Sequence, residues 1–142
     1  MIKQSPSFKI KDRIIGGNES CFIIAEAGIN HNGDLGVAKK MVDVAVESGV
    51  DAIKFQTFTA KEFISDKKAT YKYKSQGKEV EESVFAMFSR NEFTKEQWKE
   101  LIEYCEAKGI IFFSTPKNIF ITPKFLRDLA ISVPSLPLII IG

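Results

Sequence analysis

The sequence has few of the residues that build disulfide frameworks and zinc sites. Its 142 residues include two cysteines and one histidine. Cys21 and Cys105 are far apart in the chain and form no C-x-x-C motif. This excludes a disulfide scaffold and a cysteine-rich zinc cluster as organising features, and it favours a reducing compartment, the cytoplasm.

Long apolar segments are also missing. The apolar run at residues 138–141 is far too short to span a bilayer. Residues 1–17 alternate charges with short apolar pairs and contain no stretch of signal-peptide length. We therefore expect neither a membrane anchor nor a membrane partner.

The chain lacks an excess of charge of either sign. It has 20 basic and 18 acidic residues, a formal net charge of +2. This is too near balance to indicate nucleic acid or an anionic membrane as a partner, although a small anionic ligand needs only local charge. A composition of 44% hydrophobic and 27% charged residues is typical of one globular domain with a buried core.

The pattern of apolar residues predicts alternating strands and helices. Strands are predicted at residues 22–27, 52–58 and 110–116, after a short hairpin within residues 1–20 that would cap one end of the domain. One helix begins after Asp34 as N-cap, and a second occupies residues 94–108, where Thr94 and Gln97 resemble a capping box. Weaker patterns predict a short helix at 125–130 and a fourth strand at 136–141.

Repeated strand and helix units predict an α/β fold with parallel strands, either doubly wound or a (β/α)8 barrel. A long polar connection at residues 59–93 interrupts the repeat. Connections of this length in compact domains are more often functional than idle. The connection is therefore a candidate part of a binding site.

Polar side chains stand at the carboxyl ends of the three predicted strands, where ligands gather in both kinds of α/β fold. They are Glu26 near the end of the first strand, Lys54 and Gln56 near the end of the second, and Ser114 and Thr115 near the end of the third. A buried lysine needs a partner. Either a structural ion pair with Glu26 satisfies Lys54, or Lys54 and Gln56 bind a phosphate or carboxylate with help from the two hydroxyl groups.

Three segments in this order, "IAEAGINHNGD", "AIKFQTF" and "LIEYCEAKGIIFFSTP", resemble the N-terminal part of the barrel domain of the N-acetylneuraminate (sialic acid) synthase family. Members of this family are C–C bond-forming transferases of sialic acid and carbohydrate biosynthesis. They condense phosphoenolpyruvate with an N-acylated amino sugar, such as N-acetylmannosamine, to give a nonulosonic (sialic) acid and phosphate. The resemblance implies a (β/α)8 TIM barrel with parallel strands.

A complete barrel takes roughly 250 residues, so the resemblance implies that residues 21–142 form a truncated barrel domain. The C-terminal half of the barrel and the antifreeze-like domain of the family are expected to be absent. After "STP" the sequence also departs from the family, because no lysine follows in the predicted fourth strand. Full-length members are expected to be homo-oligomers.

The resemblance also implies roles for individual residues. Glu26 and Lys54 would be catalytic, with Glu26 near the sugar and the reacting water. Lys54, Gln56, Ser114 and Thr115 would hold phosphoenolpyruvate. Two further residues are expected to complete the substrate site: Asn30, in the "NHNG" segment, and Tyr71, in the long connection that folds over the pocket in this family. The predicted substrate-binding residues are therefore Lys54, Gln56, Ser114, Thr115, Asn30 and Tyr71.

The family uses a divalent metal, Mn²⁺ or Mg²⁺, held by histidines farther along the barrel, and this sequence lacks them. No metal ligand is therefore predicted within the chain, and His31 is expected to be a structural, hydrogen-bonded residue. Two alternatives remain open. The chain could be a non-catalytic phosphoenolpyruvate-binding or sugar-binding remnant or an interaction module, or it could be a barrel aldolase that forms a Schiff base at Lys54.

Overall fold

The chain alternates strands and helices in an α/β order. The structure, a computed structural model, describes residues 6–75, 77–117 and 139–140. Its elements, in chain order, are β1 (Ser7–Ile10), β2 (Arg13–Gly16), β3 (Ile24–Gly28), α1 (Leu35–Glu47), β4 (Ala52–Thr57), α2 (Ala60–Phe63), β5 (Thr70–Ser75), β6 (Lys78–Ser83), α3 (Val84–Asn91), α4 (Lys95–Ala107), β7 (Ile111–Pro116) and β8 (Ile139–Ile140).

The central sheet has four parallel strands in the order β3-β4-β7-β8, which confirms the predicted α/β class. Strand β8 lies within the predicted fourth strand, whereas the helix predicted at residues 125–130 lies outside the described residues. The register places Glu26 beside Lys54 and Gln56 beside Thr115. These side chains therefore start from neighbouring positions at one end of the sheet.

Helices α1 and α4 begin where the local sequence signals predict. Asp34 accepts a hydrogen bond from the Val37 amide at 3.0 Å. Thr94 and Gln97 form the complete capping box, with each side chain bonded to the other residue's backbone amide. Both helix starts therefore satisfy amide groups that would otherwise lack partners.

One face of the sheet packs against α1 and α4 and contains the main hydrophobic core. Phe55 and Phe112 stack there with their ring centroids 5.9 Å apart. Burial raises the pKa of the Cys105 thiol to about 12, so this residue acts as a neutral packing group. The buried members of this core are Ala27, Ala38, Val42, Ala45, Ile53, Phe55, Phe93, Trp98, Leu101, Ile102, Cys105, Ile110 and Phe112.

We call the opposite face of the sheet the open face, because no described helix packs on it. Its amino-terminal end holds a small cluster of Ala52, Ile111 and Phe113. Ile10 from the β1–β2 hairpin and Phe22 pack against this cluster. The hairpin therefore covers the end of the face that lies away from Lys54 and Gln56.

The long connection contains two helices and a hairpin. Strands β5 and β6 pair antiparallel, and the hairpin is tied to α3 by the Arg90–Glu82 ion pair. The hydroxyl of Tyr73 donates to Glu82 at 2.9 Å. This segment therefore forms an ordered wall beside the carboxyl ends of the strands.

Candidate functional site

The Glu26 carboxylate and the Lys54 ammonium form an ion pair on the open face. Lys54 Nζ lies 2.7 Å from Glu26 Oε2, and the side chains are 29% and 51% exposed, respectively. The expectation of a buried lysine is therefore wrong, because no described element covers this part of the face. An ion pair this exposed contributes little to the stability of the fold. The same exposure leaves both charged groups accessible to a ligand.

Gln56 and Thr115 lie next to this ion pair. Lys54 and Gln56 are two residues apart in β4, so they project to the same face, and Thr115 is the register partner of Gln56. Gly28 lies between the Glu26 carboxylate and the Gln56 amide. A methyl group at Gly28 would lie 3.5 Å from Glu26 Oε1 and 3.6 Å from Gln56 Nε2.

The structure thus brings four of the predicted residues together, at the carboxyl ends of three neighbouring strands: Glu26, Lys54, Gln56 and Thr115. An ammonium group, an amide and a hydroxyl supply the donors that a phosphate or carboxylate accepts from. We call this set the polar cluster.

Ser114 lies on the other face of the sheet. It is fully buried, its register partner is Phe55, and its Oγ lies 2.5 Å from Thr57 Oγ1. The prediction that Ser114 and Thr115 extend one cradle conflicts with the alternation of side chains along an unbroken strand. The structure therefore assigns Ser114 to a buried hydroxyl pair and does not bring it to the polar cluster.

Asn30 and Tyr71 lie beside a separate cavity of about 280 Å³. It is bounded by the loop after β3, the β5–β6 hairpin and α3. The structure therefore brings these two predicted residues together, in a cavity whose lining includes none of the polar cluster. The lining residues are Ile29, Asn30, Asn32, Tyr71, Tyr73, Glu82, Met87, Arg90 and Asn91.

Sequence reasoning missed the contribution of α3 to this cavity. Residues 59–93 were predicted as one long polar connection with no helix, so Asn91 was not among the candidate residues. The usable signal was an asparagine that follows an apolar helical stretch and precedes the next capping box, because amides are costly to bury without partners.

His31 is enclosed by aromatic side chains. It is fully buried, and its ring centroid lies 4.1 Å from that of Phe93. Nδ1 accepts a hydrogen bond from the Gly33 amide at 3.1 Å, so the proton of the neutral ring is on Nε2. Burial lowers the pKa of His31 to about 4, and the ring is therefore neutral at pH 7.

A divalent metal has no evident place in the described part of the chain. Residues 6–75, 77–117 and 139–140 contain no group of three or more histidine, cysteine, aspartate or glutamate side chains placed to hold an ion. His31 is the single histidine of the sequence, and its enclosure among aromatic rings does not fit a metal ligand.

Within residues 6–75, 77–117 and 139–140, no helix is long and apolar enough to cross a membrane.

Comparison with known proteins places these observations in one family. The NeuB family model matches residues 41–134. The N,N'-diacetyllegionaminic acid synthase of Campylobacter jejuni is 41% identical over 117 residues, which cover 81% of this chain and 34% of that protein. The N-acetylneuraminate-9-phosphate synthase of Homo sapiens is 40% identical over 119 residues, which cover 82% of this chain and 32% of that protein.

The fold has a close counterpart among solved structures. The N-acetylneuraminic acid (sialic acid) synthetase from Leptospira borgpetersenii matches with a TM-score of 0.73 and 31% sequence identity. The match covers 91% of this chain and 40% of that one. The chain therefore spans well under half the length of the relatives it resembles.

Proposed function

Because this chain belongs to the NeuB family, we propose that its polar cluster binds phosphoenolpyruvate for condensation with an N-acylated amino sugar. The observation that carries this proposal is the exposed ion pair of Lys54 and Glu26 at the carboxyl ends of parallel strands. The relatives are named as synthases of N,N'-diacetyllegionaminic acid and N-acetylneuraminate 9-phosphate, which supports the same class of product. The product would be a nonulosonic acid.

Phosphoenolpyruvate carries a carboxylate and a phosphate. Lys54 would exchange Glu26 for one of these anionic groups, while Gln56 and Thr115 donate hydrogen bonds to the remaining oxygens. A lysine at this place also offsets the charge that develops as C3 of phosphoenolpyruvate attacks the aldehyde carbon of the sugar. The π electrons of the C2–C3 double bond form the new C–C bond, the π bond of the aldehyde breaks, and the aldehyde oxygen takes up a proton to become a hydroxyl group.

The second half of the reaction needs water. Water adds to C2, its proton passes to a base, and phosphate leaves as the C2–O bond breaks. Glu26, once released from Lys54, is the carboxylate of the polar cluster, and it would orient the water and accept the proton. The overall balance is phosphoenolpyruvate plus sugar plus water giving nonulosonic acid plus phosphate.

The first test replaces Lys54 with methionine, which keeps most of the length of the side chain and removes its charge. We expect the affinity for phosphoenolpyruvate, measured by titration calorimetry, to fall roughly ten- to a hundred-fold, since hydrogen bonds to charged groups contribute about 1.5–3 kcal/mol.

Lys39→Met is the matched control. Lys39 also pairs with a glutamate, Glu100, at 2.6 Å, and its side chain is 28% exposed, but it lies on α1. We expect this variant to bind phosphoenolpyruvate as the parent chain does. Unchanged affinity in Lys54→Met would refute the proposed role of the polar cluster.

A second candidate function is binding without turnover. It is favoured by the exposure of the polar cluster. Phosphate release from phosphoenolpyruvate, measured with N-acetylmannosamine and Mn²⁺ present and absent, separates the two. Sugar-dependent release supports the synthase reaction, whereas binding without release supports a substrate-binding remnant.

The Schiff-base alternative gains no support from the site. A Schiff-base lysine attacks as the free amine, whereas the Lys54 ammonium is held by the Glu26 carboxylate. Borohydride trapping with a keto acid is therefore expected to give no adduct.

We place the proposed function in the cytoplasm, because Cys21 and Cys105 are both free thiols.

A further inference from the structure

The cavity between the loop after β3, the β5–β6 hairpin and α3 has a size suited to one sugar unit. Its volume is about 280 Å³, just below the range of roughly 300–1,000 Å³ that holds drug-sized ligands. Its lining begins at Ile29, the residue after Gly28. A methyl group at Gly28 would lie 3.5 Å from Glu26 Oε1 and 3.6 Å from Gln56 Nε2. A molecule that reacts at the polar cluster could therefore extend into this cavity.

Asn91 supplies a buried hydrogen-bond acceptor at this cavity. The residue is 4% exposed, and its Nδ2 donates to the Met87 carbonyl at 2.7 Å. Its Oδ1 is buried and has no hydrogen-bond partner among the described residues. An unpaired buried acceptor costs about 1–3 kcal/mol, so a ligand that donates a hydrogen bond to Oδ1 would recover this free energy.

The charged side chains among the described lining residues of the cavity, Glu82 and Arg90, pair with each other. Both terminal nitrogens of Arg90 donate to the Glu82 carboxylate, and the Tyr73 hydroxyl donates to the same group. The positive and negative charges of this wall therefore satisfy each other. A phosphate or carboxylate would have to break this network to bind, which favours a neutral ligand.

The remaining lining has the chemistry that recognises sugars. The rings of Tyr71 and Tyr73 stack with centroids 5.9 Å apart and an interplanar angle of 20°. Asn30 and Asn32 contribute exposed amides at the rim. Aromatic rings pack against the C–H faces of a sugar, and amides both donate to and accept from its hydroxyl groups.

We propose that this cavity binds the neutral, hydroxylated end of the amino sugar, and that Asn91 selects for a hydrogen-bond donor, a hydroxyl or an amide N–H, at that end. This inference rests on the proposed function, because it places the reactive carbon of the sugar toward Glu26 and the polar cluster. Asn91 is thus a specificity-determining residue, and the Tyr73–Glu82–Arg90 network is the support that holds the aromatic wall in place.

The experiment titrates the ¹⁵N-labelled chain with N-acetylmannosamine, with saturating phosphoenolpyruvate and without it. The side-chain amide signals of Asn91 are identified by their loss in Asn91→Leu. We expect the sugar to shift these signals in the parent chain. In Asn91→Leu the Kd for the sugar should rise about tenfold, with the Kd for phosphoenolpyruvate unchanged.

A second variant covers the case in which Asn91→Leu does not fold. Tyr71→Ala removes part of the aromatic wall at a residue that is 54% exposed, and it should also raise the Kd for the sugar. Lys72→Ala is its control, because Lys72 is the next residue of β5, is exposed, and does not line the cavity. It should bind both ligands as the parent chain does.

The outcomes separate this inference from the proposed function. If the chain binds phosphoenolpyruvate but the sugar does not shift the Asn91 signals, only the inference that this cavity binds the sugar is overturned. A sugar affinity that is equal in the parent chain, Asn91→Leu and Tyr71→Ala overturns it as well. Sugar binding through Asn91 without phosphoenolpyruvate binding upholds the cavity and refutes the role of the polar cluster, and binding of neither ligand refutes both.

Discussion

At the scale of the residue, Ser114 and Thr115 are chemically similar neighbours with different environments. Ser114 is buried on the helix-covered face against Thr57, whereas Thr115 is partly exposed on the open face beside Gln56. A strand turns successive side chains to opposite faces, so the two hydroxyl groups cannot serve one ligand. Their effects on stability and on binding should therefore separate.

Ser114→Ala leaves the Thr57 hydroxyl buried without its partner. We expect the free energy of unfolding to fall by about 1–3 kcal/mol in urea denaturation, with unchanged affinity for phosphoenolpyruvate. Thr115→Val keeps the shape of the side chain and removes its hydroxyl, so it should leave stability nearly unchanged and weaken binding several-fold. The reverse pattern would show that β7 presents the other face to the ligand.

Gly33 and Gly49 share a backbone conformation but not an environment. Their φ values are +74° and +70°. A methyl group at Gly33 would overlap the carbonyl oxygen of Arg90, whereas one at Gly49 would meet nothing within 4 Å. The close approach at Gly33 brings the loop after β3 against the end of α3, and this contact lies beside the cavity that Asn91 lines.

Gly33→Ala should therefore destabilise the chain by more than about 3 kcal/mol, from backbone strain plus steric overlap. Gly49→Ala is the control and should cost about 1 kcal/mol from the left-handed conformation alone. Equal losses of unfolding free energy in urea would mean that the contact between Gly33 and Arg90 relaxes at little cost.

At the scale of the element, local signals explain the helices better than the long connection. The starts of α1 and α4 depend on the side chain of the cap residue, which accepts a hydrogen bond from the backbone amide three residues further on, and the sequence displays these cap residues directly. The β5–β6 hairpin depends on Glu82 meeting Tyr73 and Arg90. A charged residue in a polar segment does not reveal which partner it will meet, so the hairpin was not predicted.

The capping box of α4 provides the prediction at this scale. Thr94→Ala should lower the free energy of unfolding by about 1 kcal/mol, because the Gln97 amide loses its acceptor. Thr59→Ala is a matched control, since Thr59 is the N-cap of α2 but makes no side-chain capping bond. Its loss should be smaller in the same urea titration, and a larger loss would contradict the assignment of the two caps.

At the scale of the whole molecule, helices cover one face of the sheet and the described residues leave the other open. The open face exposes the Lys54–Glu26 ion pair. At the edge of the sheet, an apolar groove of about 360 Å³ lies between β3 and α1 and includes Val37 and Val44. Stability therefore comes mainly from the core beneath α1 and α4, which encloses His31 as well.

The enclosed imidazole makes the stability of the whole chain depend on pH. The pKa of His31 is lowered from 6.5 to about 4, so the unfolded chain binds a proton more readily than the folded chain between these values. The stabilisation is complete above pH 6.5 and is lost as the pH falls toward 4, by about 3 kcal/mol in total. Urea titrations across this range should show the decline.

His31→Gln is the control for this prediction. It removes the titrating ring, and it should be less stable at pH 7 but nearly independent of pH between 6.5 and 4.5. Below that range Glu82 also contributes to the pH dependence, because the Arg90 guanidinium lowers the pKa of this carboxyl to about 2. Protonation of Glu82 then weakens the fold in both chains. Parallel declines of both chains between pH 6.5 and 4.5 would assign the effect to other groups.

The sequence by itself determined the order of the sheet strands and of α1 and α4, the caps of these two helices, the parallel pairing and the meeting of Glu26, Lys54, Gln56 and Thr115. These features follow from periodicity and from contacts a few residues apart, together with the rule that parallel strands align their carboxyl ends. Only the tertiary structure decided the exposure of Lys54, the enclosure of His31 by Phe93 and the unpaired oxygen of Asn91. Each of these depends on which distant segments pack around the residue, and no local pattern carries that information.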